Sequence, residues 1–203
     1  LDGLRVPMEK AVQTVHLLCE GVGIRAIERF TGLHRDTVLC VLEMAGQKAA
    51  ALLDRQIRNV ESESVQCDEI YSFVLTKEFN NKAQDPEIGT QYTYLAIDRK
   101  TKLIISHLIG KRHRSYTEAF MSDLRIRIKG RCQLTTDGYQ GYLMAVYNAF
   151  GANVDFARQT KTYAAMSQNP HADERRYSVP HSCLSVKTEV HTGNQVAVPQ
   201  ACY

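Results

Sequence analysis

The chain has 203 residues, 44% of them hydrophobic, with 25 Lys and Arg against 22 Asp and Glu for a net charge of +3. That composition excludes wholesale disorder. It is too mildly basic to demand a nucleic-acid partner, so any such partner must be argued from where the charge sits. The sequence contains no apolar run of the roughly 20 residues that span a bilayer and opens on no signal peptide. Its six cysteines include no CxxC pair. The reading is a soluble, cytoplasmic protein with reduced thiols. Because the chain opens on Leu1, a missing N-terminal piece is expected.

Residues 1–60 read as helix. Ala11, Val12, Val15, Leu18 and Cys19 recur at helical spacing after Pro7 and Glu9, and Gly21 and Gly23 stop that helix. A second helix is expected over 24–30, with Ile27 and Phe30 facing inward. Thr31, Gly32, Leu33 and His34 make a turn, and a third helix from 35 to 44 carries Val38, Val41 and Leu42 on one face. The alanine-rich stretch 47–57 continues in helix, and 59–64 is a polar linker.

From 65 the period changes from helical to alternating. A strand is predicted over 65–75, rich in β-branched and aromatic residues, followed by a polar loop over 76–90. Strands over 92–97 and 102–109 form a hairpin around Asp98-Arg99-Lys100-Thr101. A helix over 115–128 is expected to be capped by Ser115, with Ala119, Phe120, Leu124 and Ile128 as its apolar stripe. A short strand over 132–136 ends at Asp137-Gly138, a helix covers 139–150, and a strand covers 153–157. These elements predict an α/β domain over 65–160, a mixed sheet with helices on its faces. Beyond 161, Pro, Gln, Asn, His and Ser accumulate, and 161–203 reads as an irregular tail.

Two short helices around a glycine-containing turn make a helix-turn-helix when the second presents polar and basic residues. Gly32 provides the permissive backbone. His34, Arg35, Asp36 and Thr37 open the third helix, where base edges are reached, while Arg25 and Arg29 would lie near phosphates. Glu28 departs from the pattern, because a small residue at that site usually lets the helices approach. A plain helical bundle with surface arginines is the competing reading. The cluster Lys111-Arg112-His113-Arg114 reads either as a solvated loop or as a phosphate contact.

Two carboxylates stand out by placement. Asp68 lies inside an otherwise apolar strand, flanked by Cys67, Ile70 and Phe73, where a charge is costly unless paired, hydrogen-bonded or metal-bound. Asp137 lies at the C-terminal end of a short strand, the usual place for an active-site residue in an open α/β sheet. Convergent carboxylates suit Mg²⁺ or Mn²⁺, hard cations that take oxygen ligands. Placement alone serves a catalytic pair and a satisfied structural pair equally well. Asp98, at a hairpin turn, needs only turn chemistry. Glu69 should face away from Asp68 and is expected to be structural or to support the aspartates from behind.

Taken together, these segments resemble a known family. Residues 24–29 with 31–38 look like the helix-turn-helix of the bacterial insertion-element-one family of transposases. Gln66-Cys67-Asp68-Glu69-Ile70-Tyr71 resembles that family's first catalytic strand, with Tyr71 where Trp is commoner. Leu134-Thr135-Thr136-Asp137-Gly138-Tyr139 resembles its second acidic motif, and Val154-Asp155-Phe156 with Lys161-Thr162-Tyr163 resembles the stretch downstream of that motif.

The resemblance implies a helix-turn-helix segment joined to a ribonuclease-H-like domain and a DDE mechanism. Asp68 and Asp137 would be the first two ligands of Mg²⁺ or Mn²⁺. The partners would be double-stranded DNA at element ends and target, met by a homo-oligomer and with no membrane involved. The family's third acid is a Glu on a C-terminal helix, which this sequence does not visibly carry: Glu174 falls in the family's connecting loop and Glu189 in unpatterned sequence. If codons TTG AGC GTC AAA ACC encode Leu184 to Thr188, reading from the third base gives Glu-Arg-Gln-Asn, the expected signature. An incomplete, truncated or out-of-frame C-terminal part is therefore expected. A non-catalytic DNA-binding remnant or regulator is the alternative, and an unrelated metal-dependent nuclease a third.

Overall fold

The computed structural model describes residues 5–82, 87–163 and 183–193. The chain divides into two compact units, Leu1–Ile57 and Arg58–Tyr203.

The first unit is helical: α1 (Met8–Cys19), α2 (Ile24–Thr31) and α3 (Arg35–Gln56). Its core is narrow, with Ala11, Ile27, Val38 and Val41 almost fully buried. α2 ends where Gly32 takes a left-handed conformation, φ +69, and its N–H closes onto the Glu28 carbonyl. Two residues expected inside are outside, since Phe30 is 67% and Leu42 42% exposed. The buried residues of α2 are Ile27 and Thr31, one turn apart, and Phe30 falls off that line. Val12, also expected inward, is exposed. α3 passes through Gly46 unbroken for 22 residues, since one glycine costs a helix only about 1 kcal/mol. Its first turn is held by side chains: the Glu28 Oε1 accepts from the Arg35 N–H (3.0 Å), and His34 Nδ1 accepts from the Asp36 N–H (3.4 Å). Glu28 therefore caps the next helix, which accounts for a carboxylate where a small residue was expected.

Among the described residues the second unit is a mixed sheet with two α-helices. Its elements are β1 (Ser64–Val74), β2 (Gly89–Asp98), β3 (Ile104–Gly110), α4 (Arg114–Arg127), β4 (Gln133–Asp137), α5 (Gly141–Phe150), β5 (Asp155–Tyr163) and β6 (Cys183–Thr192). The six strands lie in the order β3-β2-β1-β4-β5-β6. β1, β2 and β3 form an antiparallel meander, β4 joins β1 in parallel, β5 joins β4 in parallel, and β6 returns antiparallel along β5. Val65, Tyr94, Leu134, Phe120, Leu124 and Tyr142 are fully buried, so the core lies between the sheet and α4 and α5. β1 is uneven: its first residues are buried, whereas Ile70, Tyr71, Phe73 and Val74 are each half exposed or more.

Three expectations change here. The α4 cap is His113, whose Nδ1 accepts from the Ser115 N–H (3.3 Å), so the helix starts one residue early and Ser115 lies within it. Ala119 is exposed, and Met121 is buried in its place. The tail is not wholly irregular: β5 runs to Tyr163, and Cys183–Thr192 pairs along it as β6. Leu184, Val186 and Val190 alternate as in a strand, but all three are exposed. Glu174 lies outside the described residues. Among the described residues no helix is long and apolar enough to cross a membrane.

Candidate functional site: an acidic sheet end bridged by arginine

β1 and β4 pair in parallel through Ser64–Gln133, Val65–Leu134 and Gln66–Thr135. Two residues further along each strand come Asp68 and Asp137, so both acids lie at the same end of this strand pair. The ladder stops at Gln66, and the C-terminal end of β4 is the kind of position where α/β sheets place ligands.

Side chains alternate along β1, with Val65, Cys67 and Glu69 toward the helices and Asp68 on the other face. The Asp68 Oδ1 accepts from the Glu69 N–H (2.8 Å). Asp137 is held on both oxygens: Oδ1 accepts from the Tyr139 N–H (3.0 Å) and Oδ2 from Arg112 Nη2 (2.8 Å). The same Arg112 Nη2 meets Glu69 Oε2 at 3.0 Å. The acid that Arg112 links to Asp137 is thus Glu69, which was expected to be structural or to support the aspartates from behind. Its side chain is only 3% exposed, and its second oxygen, Oε1, is buried with no full hydrogen bond, the Tyr142 hydroxyl lying close to the carboxylate.

Burial pushes the Glu69 carboxyl up, and neighbouring Asp137 adds to this, against the opposing pull of the Tyr142 hydroxyl and Arg112. The Tyr142 hydroxyl is also buried, approaching the Glu69 carboxylate just short of full hydrogen-bond geometry, and burial pushes it up as well. Burial opposes the charge on Arg112, but Glu69 and Asp137 outweigh it and hold the guanidinium charged. The Cys67 thiol beneath is pushed well up by burial, then by Cys132, Glu69, Asp68 and Asp137. All three acids therefore lie within electrostatic reach of one buried thiol. The plane of Arg112 lies over the Tyr139 ring at 4.3 Å and near Tyr92 at 5.6 Å; a lysine could not make this flat, forked contact.

The step after Asp137 is equally constrained. A Cβ on Gly138 would stand 2.9 Å from Thr160 Oγ1. Buried Arg158 donates to the Gly138 carbonyl (3.3 Å), to Glu189 (2.9 Å) and to His191 Nε2 (3.1 Å). Glu189 is thereby committed to Arg158 and Lys187, which hold its carboxyl low, Lys187 first.

The basic positions fall into two groups. Arg25, Arg29, His34 and Arg35 are exposed on the helical unit, and Thr37 is half-buried. In the sheet unit the cluster is already paired: Lys111 with Glu78 (2.7 Å), Arg112 with Glu69 and Asp137, and Arg114 with Glu118 (2.9 Å). It is not a freely solvated loop. Among the described residues no three His, Cys, Asp or Glu side chains are gathered as a ready metal site. Sequence reasoning missed the Arg112–Glu69 link, although a glutamate in phase with Val65 and Cys67 was its available signal. No family model matches the chain, and no curated protein matches its sequence.

Proposed function

We propose that the chain is the transposase of an insertion element, binding element-end DNA through α2 and α3 and acting on phosphodiesters at the Asp68–Asp137 end of the sheet. The observation that carries this reading is the convergence of Asp68 and Asp137 at one end of the parallel β1–β4 pair. The antiparallel meander extended by two parallel strands supports a ribonuclease-H-like domain. The glycine-closed turn between α2 and α3, with Arg35 exposed at the start of α3, supports a helix-turn-helix. A homo-oligomer on paired element ends belongs to the same proposal.

The acidic end fits Mg²⁺ or Mn²⁺ in its donor chemistry, with the carboxylates of Asp68 and Asp137 at the same end of the β1–β4 pair. A bound cation would supply Lewis acidity and a more acidic water at the phosphate. Asp68 and Asp137 would hold it. The Tyr139 N–H fixes the orientation of Asp137, and the packing of Gly138 on Thr160 fixes the strand end.

The non-catalytic remnant has one observation in its favour: Glu189, the described acid nearest the expected third position, is bound to Arg158 on a strand. Incubating the chain with duplex DNA carrying element ends, with and without Mg²⁺, separates the readings. Metal-dependent cleavage and joining at the ends supports the transposase. Binding without chemistry supports the remnant, and cleavage without end preference supports a nuclease.

A further inference from the structure

We infer that the outer edge of β6 pairs with the same strand of a second copy of this chain, antiparallel about a two-fold axis at Thr188, so that one sheet runs through both copies. β6 is the last strand in the sheet order, and among the described residues no strand lies along its outer edge. It runs for ten residues, Cys183–Thr192, without proline or glycine. Such an edge presents a row of N–H and C=O groups on which another strand can form. Leu184, Val186 and Val190 alternate onto one face of it, and each is half exposed or more. The inference goes beyond the proposed reading and needs neither DNA nor a metal.

The order of charges selects a second copy as the occupant. Val186-Lys187-Thr188-Glu189-Val190 is complementary to itself when reversed. With Thr188 opposite Thr188, Lys187 of each copy stands opposite Glu189 of the other, and Val186 stands opposite Val190. Each contact occurs twice, as a two-fold interface requires. Other registers fail. An axis between two residues would set side chains from opposite faces against each other. An axis at Lys187 or at Glu189 would set that charge opposite its own copy.

The local contacts leave room for this pairing. Lys187 leans along its own strand to Glu189 Oε1 (2.7 Å), while Glu189 Oε2 accepts from Arg158 (2.9 Å). Pairing keeps the Arg158 contact and gives each ammonium a second carboxylate directly across. A lysine on an edge strand ordinarily discourages pairing. Here the glutamate two residues on makes the edge selective for its own sequence. The opposite edge of the sheet lacks that pattern: β3 has His107 at its middle and carries no acid.

The test is sedimentation equilibrium of the purified full chain over a range of concentrations, without DNA. A contact confined to one strand falls at the small end of interfaces, so a dimer with a Kd on the order of 10 µM is expected. Val186→Lys should weaken it at least roughly tenfold, and adding Val190→Glu should restore it by setting that lysine opposite a glutamate. Both valines are half exposed, so melting temperature should hold in each variant and separate lost pairing from lost folding. Thr188→Cys under mild oxidation should give a disulfide-linked pair of residue-188 peptides, because directly opposite Cα atoms lie about 4.5–5.5 Å apart. Lys187→Cys should not link to itself. A chain that stays monomeric at roughly 300 µM overturns the inference; the transposase reading, whose oligomer forms on DNA, then still stands. A dimer that Val186→Lys leaves unweakened, or in which Lys187→Cys links to itself as readily as Thr188→Cys, overturns the pairing through β6.

Discussion

The β1–β2 ladder carries a buried acid at its hairpin end and another at its middle, and they are built in opposite ways. Asp98, at the hairpin end opposite Val65, is 6% exposed and fully engaged: it accepts from the Ser62 hydroxyl, the Thr101 N–H (2.7 Å) and the Thr101 hydroxyl (2.6 Å). Glu69, opposite Tyr94, has a side chain as closed off but is held loosely: Arg112, on a long side chain, reaches one oxygen, and the Tyr142 hydroxyl approaches the carboxylate without closing a full hydrogen bond. Burial alone does not distinguish a structural acid from a working one. Whether the acid's hydrogen-bonding capacity is used up does.

The largest effect expected from this difference is on chemistry. Asp137→Asn should reduce Mg²⁺-dependent cleavage of element-end DNA by roughly a thousandfold with little change in melting temperature. A comparable activity at equal folded concentration would break the comparison. At the closed end the effect moves to stability. Asp98→Ala should cost about 3 kcal/mol, measured by denaturant unfolding, because it leaves the Thr101 N–H and the Ser62 hydroxyl without their acceptor.

The same distinction ranks the cations. Arg35 is exposed at the start of α3, so Arg35→Ala should weaken binding to element-end duplex by about 1–3 kcal/mol in a gel-shift titration. Lys111 is tied to Glu78 and to the Ile88 carbonyl, and Lys111→Ala should change that binding far less. Equal losses would mean that the pairing of Lys111 does not matter to DNA.

The smallest effect is in the pH profile, where the two acids should act with opposite signs. Burial would raise Asp98, but the hydrogen bonds from Ser62 and Thr101 outweigh it and hold it below its ordinary 3.8. The unfolded chain then binds the proton more readily, so the Asp98 contribution is present above about pH 3.8 and is lost as pH falls through the folded value. Glu69 is raised above 4.5, chiefly by burial. Its folded form holds the proton more tightly, so stability is greatest below about pH 4.5 and declines as pH rises through the folded value. Melting temperatures between pH 3 and 6 should lose the acid-side fall in Asp98→Asn and the neutral-side decline in Glu69→Gln.

Much of the architecture was legible from local pattern. The hairpin around Asp98, the amphipathic α4 and the short strand before Asp137 follow from periodicity and turn chemistry, which act over a few residues. The features that escaped depend on contacts far apart in the chain or on unfavoured placement. β6 has its apolar residues at alternate positions, but Leu184, Val186 and Val190 are exposed, and no burial pattern marks them. Phe30 and Leu42 look like core residues by type and spacing, yet a three-helix unit with so narrow a buried line has no room for them. At the candidate site the two aspartates could be picked out by position. The arginine between Glu69 and Asp137 could not, because it comes from the β3–α4 junction and nothing local to β1 announces it.

The uneven burial of β1 has a consequence for how the strand opens. Near Ser64 it is held on both edges, by β2 and by β4, whereas from Ile70 to Val74 β2 alone pairs with it, as a two-stranded ribbon past Tyr71, its side chains exposed. Amide hydrogen exchange should therefore be graded along a single strand: slow at Cys67, whose N–H lies in the closed interior, and faster toward Val74, where ribbon opening exposes little new apolar surface. Glu69 sits at the turning point of that gradient. A buried acid at the boundary between a locked and a breathing half of one strand can be reached from solvent without unfolding the core that positions it.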